Sequence, residues 1–371
     1  MAQQPPAITD TQPRPWGRWL ALVGGIIALM IAISLFEVLS FGGTFARLEP
    51  HFAGSCRNMA TAAGVADIRI DRSRGLAYLS WIDAAGADNG SSGSVMLFDL
   101  TAVEPRPRPA LATEYPGLRP RGMSLYTVAD GSRRLFVVNE PVDGAAAVEV
   151  FEQSETGAFQ HVETIRDPLI ENPAAVVAVG AEEFYVANGS SAQTQAARIA
   201  EWLLRRGRST IVQYRAGRTR IVADDAKSAA GIAASADGST VYVAEALGKR
   251  LSIYDRAAGS GDLNLRERVA LESMPAALSV ATDGSVWIAA QPKGLAQLRR
   301  MGDATRPAPT QILRLRPQLE PGDASRVSEV YLDDGTQIAA AAIGARYGSR
   351  LLIGSPSDHR LLLCELPASR L

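Results

Sequence analysis

The chain carries no G-x-x-x-x-G-K-S/T phosphate loop, no G-x-G-x-x-G fingerprint, no C-x-x-C pair and no G-x-S-x-G turn. P-loop nucleotide chemistry, Rossmann dinucleotide binding, dithiol redox chemistry and the α/β-hydrolase serine mechanism therefore have no motif to rest on. Charge of one sign is missing too: 38 Lys and Arg stand against 39 Asp and Glu, for a net charge of −1. A nucleic-acid binder shows a clustered basic excess, so no nucleic-acid partner is expected. Aromatics make up only 6% of the chain, whereas Gly (33) and Pro (21) are plentiful. That balance suits many short strands joined by tight turns, and 371 residues are enough for one large all-β domain plus a tail.

The N-terminus stands apart. Residues 1–15 are polar and proline-rich, cannot bury a core, and are expected to be disordered. Trp19 to Phe36 then runs eighteen residues without a charge, and Val38 to Phe41 extends the run if Glu37 sits at the interface. At about 1.5 Å per residue such a helix nearly crosses a hydrocarbon layer of about 30 Å. Arg14 and Arg18 precede the run, and Trp16 and Trp19 flank its start. Positive charge stays in the cytoplasm, so the rest of the chain is expected outside it, in the periplasm, at the cell surface or in a lumen. The alternative is a cleaved signal peptide. The run exceeds the usual signal core of about 7–15 residues and no strong small-x-small cleavage site follows it, which favours an anchor over 16–41. Residues 42–54 are expected as a linker and 55–371 as the folded domain.

Internal repetition decides the architecture. A short apolar strand, a turn and a second strand ending in Val, Tyr or Trp recur from Ala66, Arg121, Ala174, Ala230, Ala276 and, more loosely, Ala341. The starts are 55, 53, 56, 46 and 65 residues apart. A four-stranded propeller blade needs about 40–50 residues, so the spacing predicts a six-bladed β-propeller. Asp130-Gly131, Asp237-Gly238 and Asp283-Gly284 fall between paired strands, where Gly supplies the positive φ of a tight hairpin. A third strand follows most repeats, at Val95–Phe98, Val148–Phe151, Ile211–Tyr214, Leu251–Tyr254 and Leu361–Cys364. Cys56 opens the domain and Cys364 lies near its end. An exported domain can oxidise them and close the ring; the alternative is two free buried thiols. One helix is expected at Thr194–Arg206, with Ile199, Trp202 and Leu203 on one face. It is either a surface helix packed on the propeller or an interfacial helix. Asn89-Gly90-Ser91 and Asn188-Gly189-Ser190 match the glycosylation sequon, a motif common by chance.

Several segments carry a family likeness: RPRGMSLYTVADGSRRLFVVNEP from Arg119, DPLIENPAAVVAVGAEEFYVAN from Asp167, AGIAASADGSTVYVAE from Ala230, QPKG from Gln291, and the ending RLLIGSPSDHRLLLCEL. Over about residues 55 to 366 the chain resembles the paraoxonase/arylesterase family. The resemblance implies a six-bladed propeller, often with an N-terminal hydrophobic segment, and a disulfide joining the first and last strands. It implies hydrolysis of lactones and aryl esters around a calcium ion in the central tunnel, and a helix, here Ile199 to Leu203, on the active-site wall and membrane-facing surface.

Residue by residue, the metal set departs from that pattern. Where the family has side-chain oxygen ligands for the catalytic ion, this chain has Ala66, Ala174, Ala230, Ala276 and Ala277. Of the side chains for a second, structural ion, Asp67 remains and Ala175 replaces the other. Calcium takes six to eight oxygens at about 2.3–2.6 Å, and a methyl group offers none, so no calcium cofactor is expected. The family's His positions read Arg121, Glu140 and Gln291. The three histidines present, His51, His161 and His359, match none of them. Arg121 cannot accept a proton from water as an imidazole can. An Arg121–Glu140 pair at the tunnel mouth, or an anionic ligand on Arg121, is the expected replacement. The expectation is a membrane-anchored, non-catalytic binding or scaffolding propeller, a pseudoenzyme with an unidentified small-molecule or protein ligand at its mouth. The alternative is an ester or lactone hydrolase with a site rebuilt from Asp67, Glu140, Asn172 and Arg121.

Overall fold

In the computed structural model, which describes residues 15–82, 93–141, 144–190, 192, 194–317 and 325–367, the repeats fold into six antiparallel sheets. The expected disordered tail, apart from Pro15, and the sequon at Asn89 lie outside the described residues. The innermost strands, blades 1 to 6 in order, are Gly64–Asp71, Pro120–Thr127, Pro173–Gly180, Ala229–Ala234, Met274–Val280 and Ile343–Tyr347. In blades 1 to 5 the chain then runs outward through three further strands. Blade 6 is completed differently: its outermost strand is Ser55–Ala60, supplied by the start of the domain and paired with Arg360–Glu365. The chain is thus all-β apart from its helices, a six-bladed propeller, as the repeat spacing predicts.

Alternation along the strands explains the stacking. In Glu183–Asn188, Phe184 and Val186 join the core shared with blade 2, and Tyr185 and Ala187 the core shared with blade 4. In Val286–Gln291, Val286, Ile288 and Ala290 face blade 4, while Trp287 and Ala289 face blade 6. Both faces of each sheet are buried, so these strands read as nearly continuous apolar runs. Among the described residues, each of six core clusters spans one pair of adjacent blades, including the pair 1 and 6 that closes the ring. The Asp-Gly turns form as predicted. Gly131, Gly238 and Gly284 have φ of 86°, 68° and 75°. The preceding Asp accepts the N–H of Ser132, Ser239 and Ser285 respectively.

Cys56 and Cys364 stand directly opposite each other in the pairing of Ser55–Ala60 with Arg360–Glu365 and form a disulfide. Residues 42–54, expected as a linker, belong partly to the fold: His51–Phe52 pairs with Arg326–Asp333 as a fifth strand of blade 5. The Phe52 ring, packed edge-on against Tyr331 at 5.6 Å, is what recruits it.

Helix α1 (Pro15–Phe41) includes the stretch Trp19–Phe41, long and apolar enough to cross a membrane and not buried against the propeller. It fits a membrane anchor or a signal sequence. Its end is held by helix α2 (Gln195–Leu204) and helix α3 (Gly294–Gly302). Glu37 pairs with Arg205 at 2.7 Å, the Phe41 ring meets Trp202 at 6.0 Å, and Leu295 N–H donates to Gly42 O at 3.2 Å. Consequently Trp202, expected on one apolar face with Ile199 and Leu203, differs from them in burial. It is 8% exposed beneath Phe41, whereas Ile199 and Leu203 remain open. Both helices follow the second strand of their blades, so they lie on the face where the inner strands begin. That face is called upper below.

The disulfide spans 308 residues of sequence. For loops this long, chain entropy puts its contribution at the upper end of about 2–5 kcal/mol. Cys56→Ser should lower the urea unfolding midpoint of the full chain accordingly, and reductant should do the same to the wild type but not to the variant.

Candidate functional site

The inner strands of blades 1 to 5 share one irregularity. Their pairing with the second strand slips between Val65 and Asp67, Pro120 and Met123, Pro173 and Ala175, Ala229 and Gly231, and Pro275 and Leu278. The extra residues are Ala66, Arg121 with Gly122, Ala174, Ala230, and Ala276 with Ala277. A bulge re-aims side chains and bends the strand. Here the bulges lie at the upper end of the central axis, on every position singled out from the sequence at the inner strands of blades 1 to 5 except Asp67 and Ala175, which directly follow one. Ala66, Ala174, Ala230, Ala276 and Ala277 are half-buried, and Ala175 is buried between blades 3 and 4.

Close backbone approach holds this ring. A Cβ on Gly122 would come within 2.5 Å of Ala175 Cα, and one on Gly231 within 2.4 Å of Ala276 O. Glycine is needed at both because the next blade's backbone occupies the space. Ala277 N–H donates to Ala342 O of blade 6 at 3.0 Å, continuing the contacts around the axis.

Asp67 is fully buried, and both its oxygens are engaged. Oδ1 accepts from Ile68 N–H at 2.8 Å. Oδ2 accepts from Met123 N–H of blade 2 at 2.6 Å and from Arg69 Nε and Nη2 at 3.1 and 2.8 Å. The third arm of the Arg69 fork donates to Leu278 O of blade 5 at 2.9 Å. A guanidinium carried by the chain itself thus neutralises the axial carboxylate and ties blade 1 to blades 2 and 5. Asp67 is therefore not open for acid–base work. Arg69 did not stand out in the sequence, because in an alternating strand a lone Arg reads as solvent-facing.

Arg121 and Glu140 meet as expected, at the mouth. Nη1 donates to Oε2 at 2.5 Å, with the Arg121 side chain 47% exposed. Pro120 pairs with Asn139 in an antiparallel register, so Arg121 and Glu140 are diagonal neighbours, a spacing that long side chains can span. A pair this open contributes little stability. Asn172, just before the inner strand of blade 3, is fixed elsewhere: its side-chain amide donates to Ser190 O at 3.0 Å and its backbone carbonyl accepts from Gly189 N–H. Gln291 Nε2 donates to Ala341 O at 3.1 Å, bridging blades 5 and 6. The structure thus brings Arg121 and Glu140 together and commits Asp67 and Asn172 to structural contacts.

The histidines lie away from the axis. His51 pairs with Glu329 on the outer edge of blade 5, and His359 is exposed in a hairpin of blade 6. His161, on the outer strand of blade 2, approaches the buried Glu149 at 3.0 Å. Burial works to raise the Glu149 pKa, but hydrogen bonds with Asn139, Thr164, His161 and Tyr115 hold it below its ordinary value. Among the described residues no group of three or more His, Cys, Asp or Glu is placed to hold a metal ion.

Fold and site define a six-bladed propeller with a small-residue ring on its axis. A family model described as arylesterase matches residues 73–366, and the chain belongs to that family. It is 30% identical over 282 residues to serum paraoxonase/arylesterase 1 of Homo sapiens, covering 74% of this chain and 78% of that protein. It is 27% identical over 281 residues to human serum paraoxonase/arylesterase 2, covering 74% and 77%. Among solved structures, a luciferin-regenerating enzyme shares the fold with a TM-score of 0.52 at 12% identity, covering 85% of this chain and 96% of that one.

Removing one member of a buried ion pair costs about 3–5 kcal/mol. Asp67→Ala should therefore destabilise the propeller by that amount, and adding Arg69→Met should recover more than half, as read by chemical denaturation. Gly231→Ala should cost about 1–3 kcal/mol, the usual penalty for overpacking, with the midpoint shift of a thermal melt as the check.

Proposed function

We propose that the chain is a membrane-anchored binding or scaffolding propeller that does not use the calcium chemistry implied by its family resemblance. The observation that carries this reading is the state of the axial carboxylate. Asp67, the one acidic side chain among the inner-strand positions singled out above, already has both oxygens occupied by two backbone N–H groups and Arg69. Around it stand half-buried alanine methyls. A hard cation that takes six to eight oxygens would have to displace a guanidinium to gain one carboxylate, and would not recover its hydration. The residues present do not fit calcium.

The same reading places the ligand at the upper mouth, where Arg121 supplies a permanent charge to an anionic group. The contacts of Glu37, Phe41 and Gly42 with the helices α2 and α3 turn this mouth toward the face from which α1 leaves. With α1 as an uncleaved signal-anchor, its N-terminus cytoplasmic, the mouth faces the bilayer from the extracytoplasmic side. Exposed Ile199 and Leu203 then lie at the interface, as apolar residues of an interfacial helix do.

A second reading, ester or lactone hydrolysis through a rebuilt site, draws support from the bulges kept in blades 1 to 5 and from the family itself. In it Glu140 is the remaining candidate base, since Asp67 is occupied.

One experiment separates them. Ligand linkage raises the stability of a site at a hundredfold excess over its Kd by about 2.7 kcal/mol, a shift of several degrees. On the binding reading, sub-millimolar calcium leaves the thermal midpoint of the detergent-solubilised chain unchanged, and no hydrolysis of phenyl acetate or a lactone exceeds background. Hydrolysis that survives EGTA and is lost in Glu140→Gln would establish the second reading. Hydrolysis and stability that both require calcium would overturn the first.

A further inference from the structure

We propose that the lower end of the propeller axis, opposite the mouth, is a binding site for a small oxyanion, a phosphate or carboxylate group, held by Arg72 with Arg346 in the positive field of Arg69. Arg72 follows the last residue of the inner strand of blade 1 and reaches past blade 6 to blade 5, where it donates to Val280 O. Among the described residues no carboxylate lies within ion-pairing distance of it. The acid beside it in sequence, Asp71, is taken by Arg133 at 2.9 Å and Ser73 at 2.6 Å. Arg69 stands one strand-turn above, its charge spent on Asp67. Arg346 of blade 6 stands alongside and shares a single oxygen of Asp283 with Arg314, at 2.8 and 2.6 Å.

The charges do not balance. Among the described residues three guanidiniums, Arg69, Arg72 and Arg346, face two carboxylates, Asp67 and Asp283. Asp283 is held ionised: burial works to raise its pKa, but Ser285, Arg314 and Arg346 bring it to about 2. The side chains of Arg69 and Arg346 are only 14% and 13% exposed, so water screens this excess poorly. Arg72 carries the consequence. Burial first, and then repulsion from Arg69 and Arg346, push its pKa down, with Asp283 alone opposing. A planar fork with free donors, in a positively charged and partly dehydrated pocket, is the arrangement that recognises carboxylate and phosphate through paired hydrogen bonds. An anion there cancels the excess, and the half-buried Arg72 leaves it a route in from the lower face.

The test is thermal melting of the full chain in detergent, followed by tryptophan emission, with chloride replaced at constant ionic strength by inorganic phosphate in one arm and acetate in the other. The buried Trp287, 5.9 Å from the Arg346 guanidinium carbon, reports on the site directly. The wild type should show a saturable rise in midpoint, about 2–4 °C for each 1 kcal/mol of linkage. A response to phosphate alone assigns a tetrahedral anion, and a response to acetate a carboxylate. Arg72→Gln should lose the rise, and Arg72→Lys, which keeps the charge without the fork, should bind at least several-fold more weakly. Arg306→Gln, a surface change elsewhere, should keep it. No saturable response to either anion, an equal response in Arg72→Lys and wild type, or a response that follows Arg121→Gln instead of Arg72→Gln would overturn the proposal.

Discussion

Asp67 has to be neutralised where it stands. It is buried beside the axis of a closed ring, held by the N–H groups of Ile68 and Met123, and an unpaired carboxylate at that depth would cost several kcal/mol. The chain meets that demand from two residues away with Arg69, whose guanidinium also reaches Leu278 O. The pair links blade 1 to blades 2 and 5 across the axis. In a propeller, where each blade packs mainly against its two neighbours, a contact to a blade one further on is a cross-brace.

Around this brace the ring closes by ordinary means. Alternating apolar residues bury both faces of every sheet, Gly122 and Gly231 let adjacent inner strands touch, and the strand bearing Cys56 completes the blade that carries Cys364. The N-terminal segment does more than lead into the ring. His51–Phe52 extends blade 5 and the end of α1 is gripped by Trp202, Arg205 and Leu295. On the proposed reading these contacts hold the mouth against a bilayer, so a ligand reaching Arg121 would pass along the membrane surface.

Much of this was legible in the sequence, for stated physical reasons. The repeat period, the Asp-Gly turns and the third strands gave the blades, because turn chemistry and strand alternation are local. The cysteine pairing and the family resemblance agreed with the closure, and Arg121 met Glu140 because the Pro120–Asn139 register leaves them diagonal neighbours at the open end of one hairpin. What was not legible depends on long-range packing. Trp202 falls on the helical face with Ile199 and Leu203 by spacing alone, and it is buried where the docked end of α1 and Gly294 of α3 meet it. His51–Phe52 is too short to read as a strand. Asp67 is taken by Arg69 of its own strand and by Met123 of blade 2, Asn172 by Gly189 and Ser190 of a loop, and Arg72 by Val280 of blade 5, contacts that no local pattern announces. Bulges at the inner-strand starts leave no compositional trace beyond small residues.

The proposal that the axial cation is a guanidinium and not calcium is tested most directly by the metal content of the full chain, produced with calcium present, purified without chelator and measured by elemental analysis. The account predicts far less than one calcium per chain, unchanged by dialysis against EGTA. One or more calcium ions per chain, removed by EGTA with a drop in thermal stability, would contradict it.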